Sequence, residues 1–242
     1  MNTIYFLTVP HVTSKPSTRR REANTKRILD TAMKLVGESG FAGLSMNKLA
    51  DACDYTPGAL YRYFGSKDML LSALVGQILD ELRLALEAAV AAAPEDAALV
   101  RVWTMTLAYR RFASEKPHEF GLIALSFAEP QLLLTSPESA EPVVQQMVRT
   151  MSPLAESLAS AAGAGALDEG DVIERALIVF AATQGVLQMH KQARIAPSLI
   201  DVDRLGTATL RTLLVGWGAD AAAIDAAHER ALALLAQPGD LS

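Results

Sequence analysis

Two kinds of residue are scarce in this 242-residue chain: cysteine occurs once, and aromatic residues make up 6%. A lone Cys53 excludes an internal disulfide and a thiolate zinc cluster, and makes a reducing cytoplasm the simpler expectation. Long hydrophobic runs are missing too. Ile4–Val9 is too short for a secretory signal and lacks the basic flank before it. Ala176–Leu187, the most apolar later stretch, falls far below a bilayer span and carries Thr183 and Gln184. A soluble intracellular protein without a membrane partner is expected. Stretches of Val, Ile, Thr and Tyr alternating every second residue are absent, which argues against a β fold. The histidines (His11, His118, His190, His228) are scattered. No His-Glu-x-x-His pair, nucleophile elbow or phosphate loop accompanies them, so nothing points to an enzyme, a metal or a cofactor.

What is present is apolar and helix-forming. Half of the residues are hydrophobic, with Ala and Leu predominating, and the expected fold class is all-α. The net charge of −5 divides unevenly. Residues 1–70 hold ten Lys/Arg against six Asp/Glu, whereas the remainder carries −9. A basic head on an acidic body suits a protein that touches phosphate at one end.

The first eighteen or so residues lack periodicity and contain Pro10 and Pro16, so a flexible tail over residues 1–20 is expected. Arg19, Arg20 and Arg21 at its end read either as a minor-groove arm or as a solvated basic tail. A helix from about Glu22 follows, with Ile28, Ala32, Leu35 and Val36 on one stripe, ending near Gly37–Gly40, after which Phe41 turns inward. Ser45 then caps a short helix with Leu49, Ala50 and Cys53 inward. Thr56 caps a second, with Pro57 at its first position. Gly65 breaks the chain, and Ser66 caps a long helix from Lys67 to about Ala93. Further helices are expected near 95–115, 117–128, 140–162, 169–194, 201–216 and 219–236. A kink or split is expected at Pro153.

Two short helices joined by a tight turn form a helix-turn-helix, whose second helix enters the major groove amino end first. Thr56, Pro57, Gly58 and Ala59 are small enough for close approach to bases. Tyr61, Arg62, Tyr63 and Lys67 can donate to phosphate. Over residues 25–73 the pattern (Gly40-Phe41, Leu49-Ala50, Thr56-Pro57-Gly58-Ala59-Leu60-Tyr61-Arg62-Tyr63-Phe64, Ser66-Lys67-Asp68) resembles the signature of the tetracycline-repressor (TetR) family. That resemblance implies a dimeric transcriptional regulator, a repressor released from a pseudo-palindromic operator by a small hydrophobic ligand. It places Thr56, Pro57 and Ala59 near bases and Tyr61 and Lys67 on phosphate. It also puts Thr25 and Ser45 at helix starts that touch the backbone. Arg62 stands at a variable position and is the candidate for operator-specific contact. Two departures are Asp54, where the turn has Gly, and the bulky Tyr55.

The resemblance further implies helix-turn-helix residues 21–70 and an effector-binding and dimerisation domain over 71–242. Candidate pocket residues are Trp103, Tyr109, Phe112, Phe127, Met147, Met151 and Gln184, with His190 within possible reach. Ile173, Leu177, Phe180, Ala181, Gln184 and Leu187 read as one side of a helix in which Gly185 suggests a close approach. With Leu205, Ala208, Thr209 and Leu213 on the next helix, they offer a four-helix dimer interface, for which Leu177, Ala181, Gly185, Leu205, Thr209 and Leu213 are the candidates. The same stripes would also suit a monomeric core. A helix-turn-helix protein without a ligand, acting on chromosome or cell-division components, is the alternative function.

Overall fold

The computed structural model describes residues 16–93, 98–128 and 135–236. These are overwhelmingly helical, and no strand occurs among them. The chain divides into two compact units between Gly65 and Ser66. That division leaves Lys67 in the second unit.

The first unit holds α1 (Pro16–Gly43), α2 (Met46–Ala52) and α3 (Pro57–Phe64). The sequence expectation is corrected at the start of α1. Pro16 begins the helix rather than breaking it, because proline at a first helical position has no hydrogen bond to lose. Arg19–Arg21 are therefore helical, and Thr25 lies well inside α1, where its Oγ1 donates to Arg21 O at 2.9 Å. The helix deviates at Gly40, whose φ of 70° only glycine adopts freely. Beneath it Ile28, Ala32, Leu49, Ala50 and Leu60 are fully buried, with Val36, Leu44, Cys53 and Phe64 nearly so. Phe41 is only half-buried, and Leu44 fills the inward place instead.

Local capping fixes the short helices. Ser45 accepts from Lys48 N at 3.2 Å and Thr56 from Ala59 N at 3.2 Å. A side-chain cap of this kind contributes about 1 kcal/mol. Between them Asp54 takes a left-handed conformation (φ 58°), which lets Tyr55 N reach back to Ala50 O at 2.9 Å.

The second unit contains α4 (Lys67–Ala91), α5 (Ala98–Glu115), α6 (Pro117–Ala128), α7 (Pro137–Gly163), α8 (Val172–Leu187), α9 (His190–Ile195), α10 (Val202–Gly216) and α11 (Ala221–Ala236). Ser66 caps α4 through Met69 N at 3.0 Å. Helix α5 is apolar nearly all round and is buried from Val102 to Tyr109, the pattern of a central core helix. It packs on α4, α6, α7, α8 and α11, α4 runs along α7, and α8 lies between α7 and α10. The hydroxyls of Thr104 and Thr106 are satisfied inside it by Val100 O and Val102 O.

Two further expectations are corrected. Helix α7 is not split at Pro153; the ring lies on a half-exposed flank, and Ser157 Oγ donates to Pro153 O at 2.8 Å. The single helix expected over 169–194 is broken instead after Leu187. His190 Nδ1 takes up Leu187 O at 2.6 Å, and a short α9 follows. Residues 172–195 have the length and apolarity of a bilayer span on composition (mean hydropathy 1.3). Helix α8 itself has 16 residues, fewer than the roughly 20 a span needs.

Candidate functional site

On α3 the residues divide cleanly. Leu60 and Phe64 are buried, while Thr56, Pro57, Gly58, Tyr61 and Arg62 face solvent and Ala59 is half-exposed. Tyr61 is 45% exposed, so its ring is not core packing. A Cβ at Gly58 would meet nothing within 4 Å, which leaves the amino end of the helix open to approach. Tyr63 faces sideways toward α1. Its hydroxyl accepts from Asn24 Nδ2 at 3.2 Å, and its ring lies 5.8 Å from that of Tyr55. A hydrogen bond with Tyr55, then that with Asn24, with the charges of Arg21 and Arg27 behind them, pull the Tyr63 hydroxyl below its ordinary pKa. Tyr55, the bulky departure, finds its route to solvent: Arg27 Nη2 donates to its hydroxyl at 3.1 Å, and the guanidinium stands 5.5 Å from the ring centre.

The helical start of α1 brings Arg20, Arg21 and Asn24 beside Ala59, Arg62 and Tyr63, around an open groove of about 550 Å³. Sequence reasoning read Arg19–Arg21 as arm or tail. The missed signal was Pro16 as a helix start. Ser45 sits at its expected cap, and Lys67 is exposed in the first turn of α4.

In the second unit the expected pocket residues separate. Tyr109, Met151 and Gln184 come together. The Tyr109 hydroxyl donates to Gln184 Oε1, and Tyr109 and Met151 border a cavity of about 20 Å³. That is room for one water. Gln184 is 5% exposed, yet its Nε2 has no hydrogen-bond partner among the described residues. Burial raises the Tyr109 hydroxyl far above the usual phenol range, so it acts only as a neutral donor. Phe180, on a stripe that suited either a dimer interface or a monomeric core, stacks on Tyr109 at 5.8 Å and meets Phe127 edge-on at 5.6 Å.

Of the other candidates, Phe127 reaches this cluster through Phe180, and the rest lie elsewhere. Trp103 is buried against His228 (4.3 Å between rings), and Phe112 stands beneath Lys116. Phe127 is 44% exposed, and Met147 is half-buried on α7, outside the cavity lining.

Comparison with known families matches residues 28–74 to "Bacterial regulatory proteins, tetR family" and residues 102–213 to "Tetracyclin repressor-like, C-terminal domain". The chain belongs to the TetR family. Curated relatives that match it are named as HTH-type transcriptional regulators and repressors. The HTH-type transcriptional regulator BetI of Rhizobium meliloti is 30% identical over 91 residues, 36% of this chain. The chain spans less than half of that relative, 45%. A solved structure of a protein of unknown function from Rhodococcus sp. RHA1 superimposes with a TM-score of 0.64 at 24% identity, covering 86% of this chain and 98% of that one. RolR in complex with resorcinol gives 0.61 at 16% identity over 88% and 95%. At these identities the likeness is one of fold.

Within this TetR-family chain the broad α8 stripe splits into two faces. Ala176, Val179, Phe180, Thr183, Gln184 and Leu187 point into the core. Ile173, Leu177, Ile178, Ala181 and Gly185 point out, with Leu177 40% exposed. A Cβ at Gly185 would meet nothing within 4 Å. Leu205, Thr209 and Leu213 on neighbouring α10 are half-buried.

Proposed function

We propose that this regulator is a homodimeric repressor that reads a pseudo-palindromic operator with α3 and is released by a small hydrophobic ligand. The observation that carries the DNA reading is the outward face of α3. A capped helix presents Thr56, Pro57, Gly58 and Ala59 at its amino end with Tyr61 and Arg62 behind them. Such a face suits base edges at the tip and phosphate along the flanks. Thr56, Pro57 and Ala59 approach bases, Arg62 supplies operator-specific contact, and Tyr61 and Lys67 hold phosphate, with Thr25, Ser45 and Tyr63 at the margins. Residues 21–70 serve DNA binding, and 71–242 serve effector binding and dimerisation. The working compartment is the cytoplasm.

Dimerisation draws support from the apolar outer face of α8. A Leu at 40% exposure beside an exposed Ile178, Ala181 and Gly185 is a stripe that a second copy would cover, joined by α10 through Leu205, Thr209 and Leu213. Ligand control draws support from Gln184. A buried amide with an unused donor, beside an aromatic cluster and a cavity of about 20 Å³, suits a site that opens when a ligand parts Phe180 from Met151. The structural relative RolR was solved with resorcinol, an aromatic ligand of that kind. A ligand that binds one arrangement of the second unit better than another shifts the population, and DNA affinity follows.

A gel shift against the DNA upstream of its own gene and neighbouring genes tests the reading. The Tyr61→Phe, Lys67→Ala double variant is expected to bind more weakly at every sequence, with the salt slope reduced by about one to two. Arg62→Ala is expected to relax sequence preference. Double-variant binding as tight as the wild type would sink the contact assignment.

A further inference from the structure

Away from the aromatic cavity the second unit carries an open groove of about 800 Å³ bordered by α5, α9, α10 and α11 and the end of α8, a size usual for ligand sites. Its apolar lining comes from Leu107, Leu187, Ala208 and Leu232. Arg110, Arg111, Arg204 and Arg211 also line it, against a single acid, Asp203. Glu115 and Asp225, which pair with Arg111 and Arg211, stand outside the lining.

Arg110 is the unusual member. Its side chain is only 11% exposed, and it would lie 3.4 Å from a Cβ at Gly206, so the guanidinium sits close against α10 where that helix has no side chain. Its ionic partner is the opposite case: the Asp203 side chain is 91% exposed, and Thr207 Oγ1 adds only a long contact of 3.5 Å. A desolvated cation held by a fully hydrated carboxylate is a poor exchange for the cation. A free carboxylate can approach a guanidinium with both oxygens, a stronger arrangement than a tethered single-oxygen contact. Asp203 loses little on release, because it sits in the first turn of α10, where an acid is favourable.

We propose that this groove is a second ligand site that takes a soluble carboxylate bearing an apolar chain, the acid replacing Asp203 on Arg110 and the chain lying on Leu107, Leu187 and Leu232. The site is separate from the Tyr109–Gln184 cavity. It also differs from the outer apolar face. Asp203, Thr207 and Arg211 recur every four residues on one flank of α10, while Leu205, Thr209 and Leu213 recur on another. His228 at the groove wall is held below its usual pKa first by burial and then by the charge of Arg110, against the opposing charges of Asp225 and Glu229. The apolar floor distinguishes a small amphiphile from a polyanion, which would need no such surface.

Calorimetric titration of the full chain with decanoate below its micellar concentration, in the absence of DNA, reads the site directly and independently of repressor function. Arg110→Gln is expected to weaken binding about tenfold or more, the loss of a charged hydrogen-bonded pair. Asp203→Asn is expected to tighten it, and 1-decanol is expected to bind much less well than decanoate. Leu232→Glu, on an exposed position of α11, is expected to repel the ligand without disturbing the core. It serves if Arg110→Gln fails to fold. Tyr109→Phe with Gln184→Leu is expected to leave decanoate binding unchanged. No decanoate binding by the wild type, equal affinity for decanol, weaker binding by Asp203→Asn, indifference to Leu232→Glu, or loss confined to the Tyr109/Gln184 variant would each overturn the assignment.

Discussion

The Tyr109–Gln184 pair offers a sharp test of whether a polar group is kept in the core for ligand binding rather than for stability. Gln184 Nε2 is, with Trp103 Nε1, one of two buried side-chain donors without a partner among the described residues, while the other end of its amide accepts from Tyr109. Leaving a buried polar atom unpaired costs about 1–3 kcal/mol, whereas a satisfied neutral hydrogen bond contributes only about 1 kcal/mol net. Tyr109→Phe strands Oε1 as well and is expected to destabilise by about 1–3 kcal/mol. Gln184→Leu removes the unused donor but strands the Tyr109 hydroxyl, so its net effect is small. The double variant leaves no orphan polar atom and loses one weak bond. It is expected to equal the wild type or exceed it by up to about 2 kcal/mol, with clear positive coupling between the sites. Urea unfolding at one fixed protein concentration measures all four corners, since any self-association makes stability concentration-dependent. A double variant weakened by the sum of the two single losses would refute the reasoning, for the amide would then be part of the structural core.

Four other outcomes follow. Arg175 is 7% exposed, donates to Asp168 O at 2.7 Å and Glu169 O at 3.3 Å, and lies 5.1 Å over the Trp217 ring. Arg175→Ala should therefore cost about 2–4 kcal/mol in urea unfolding, and Gly170→Ala should also destabilise, because its Cβ would fall 2.6 Å from Arg175 Nη2. Asp54→Gly should raise the thermal midpoint, since it relieves a left-handed residue costing up to about 1 kcal/mol; a fall in calorimetry would contradict this. Burial, then the Arg110 charge, depresses the His228 pKa, so the unfolded chain takes up this proton more readily than the folded one. The stability it contributes is full above about pH 6.5 and is lost as the pH falls from there through the depressed folded value. Wild type minus His228→Phe, followed by chemical unfolding between pH 5 and pH 8, should show that slope, and a flat difference would remove it.

Much of the first unit was legible because its signals are local. Ser45 and Thr56 cap the helices that their side chains predict, as Ser66 does at the start of the second unit, and Asp54 takes the left-handed turn in glycine's stead. Pro16 misled because proline's effect depends on its place in a helix: at a first position it starts the helix, and composition alone does not say so. No proline or glycine stands at the break after Leu187, and the His190 ring that bonds Leu187 O across it lies three residues on. Phe180 shows the deeper limit. Periodicity groups it with Leu177 and Ala181 on one stripe, but which edge of that stripe turns inward depends on the packing of α8 against α7 and α10. Similarly, Trp103 and Phe112 are core residues whose partners, His228 and Lys116, no motif connects to them.

Cys53 is the chain's single thiol, and it lies 4% exposed at the carboxyl end of α2. A thiol reagent can therefore reach the protein only when the helix-turn-helix itself opens. Its labelling rate becomes a clock for that one event, readable in the presence of operator or ligand without any engineered probe. Slower labelling on DNA would measure, in free energy, how firmly the nucleic acid holds the reading head shut.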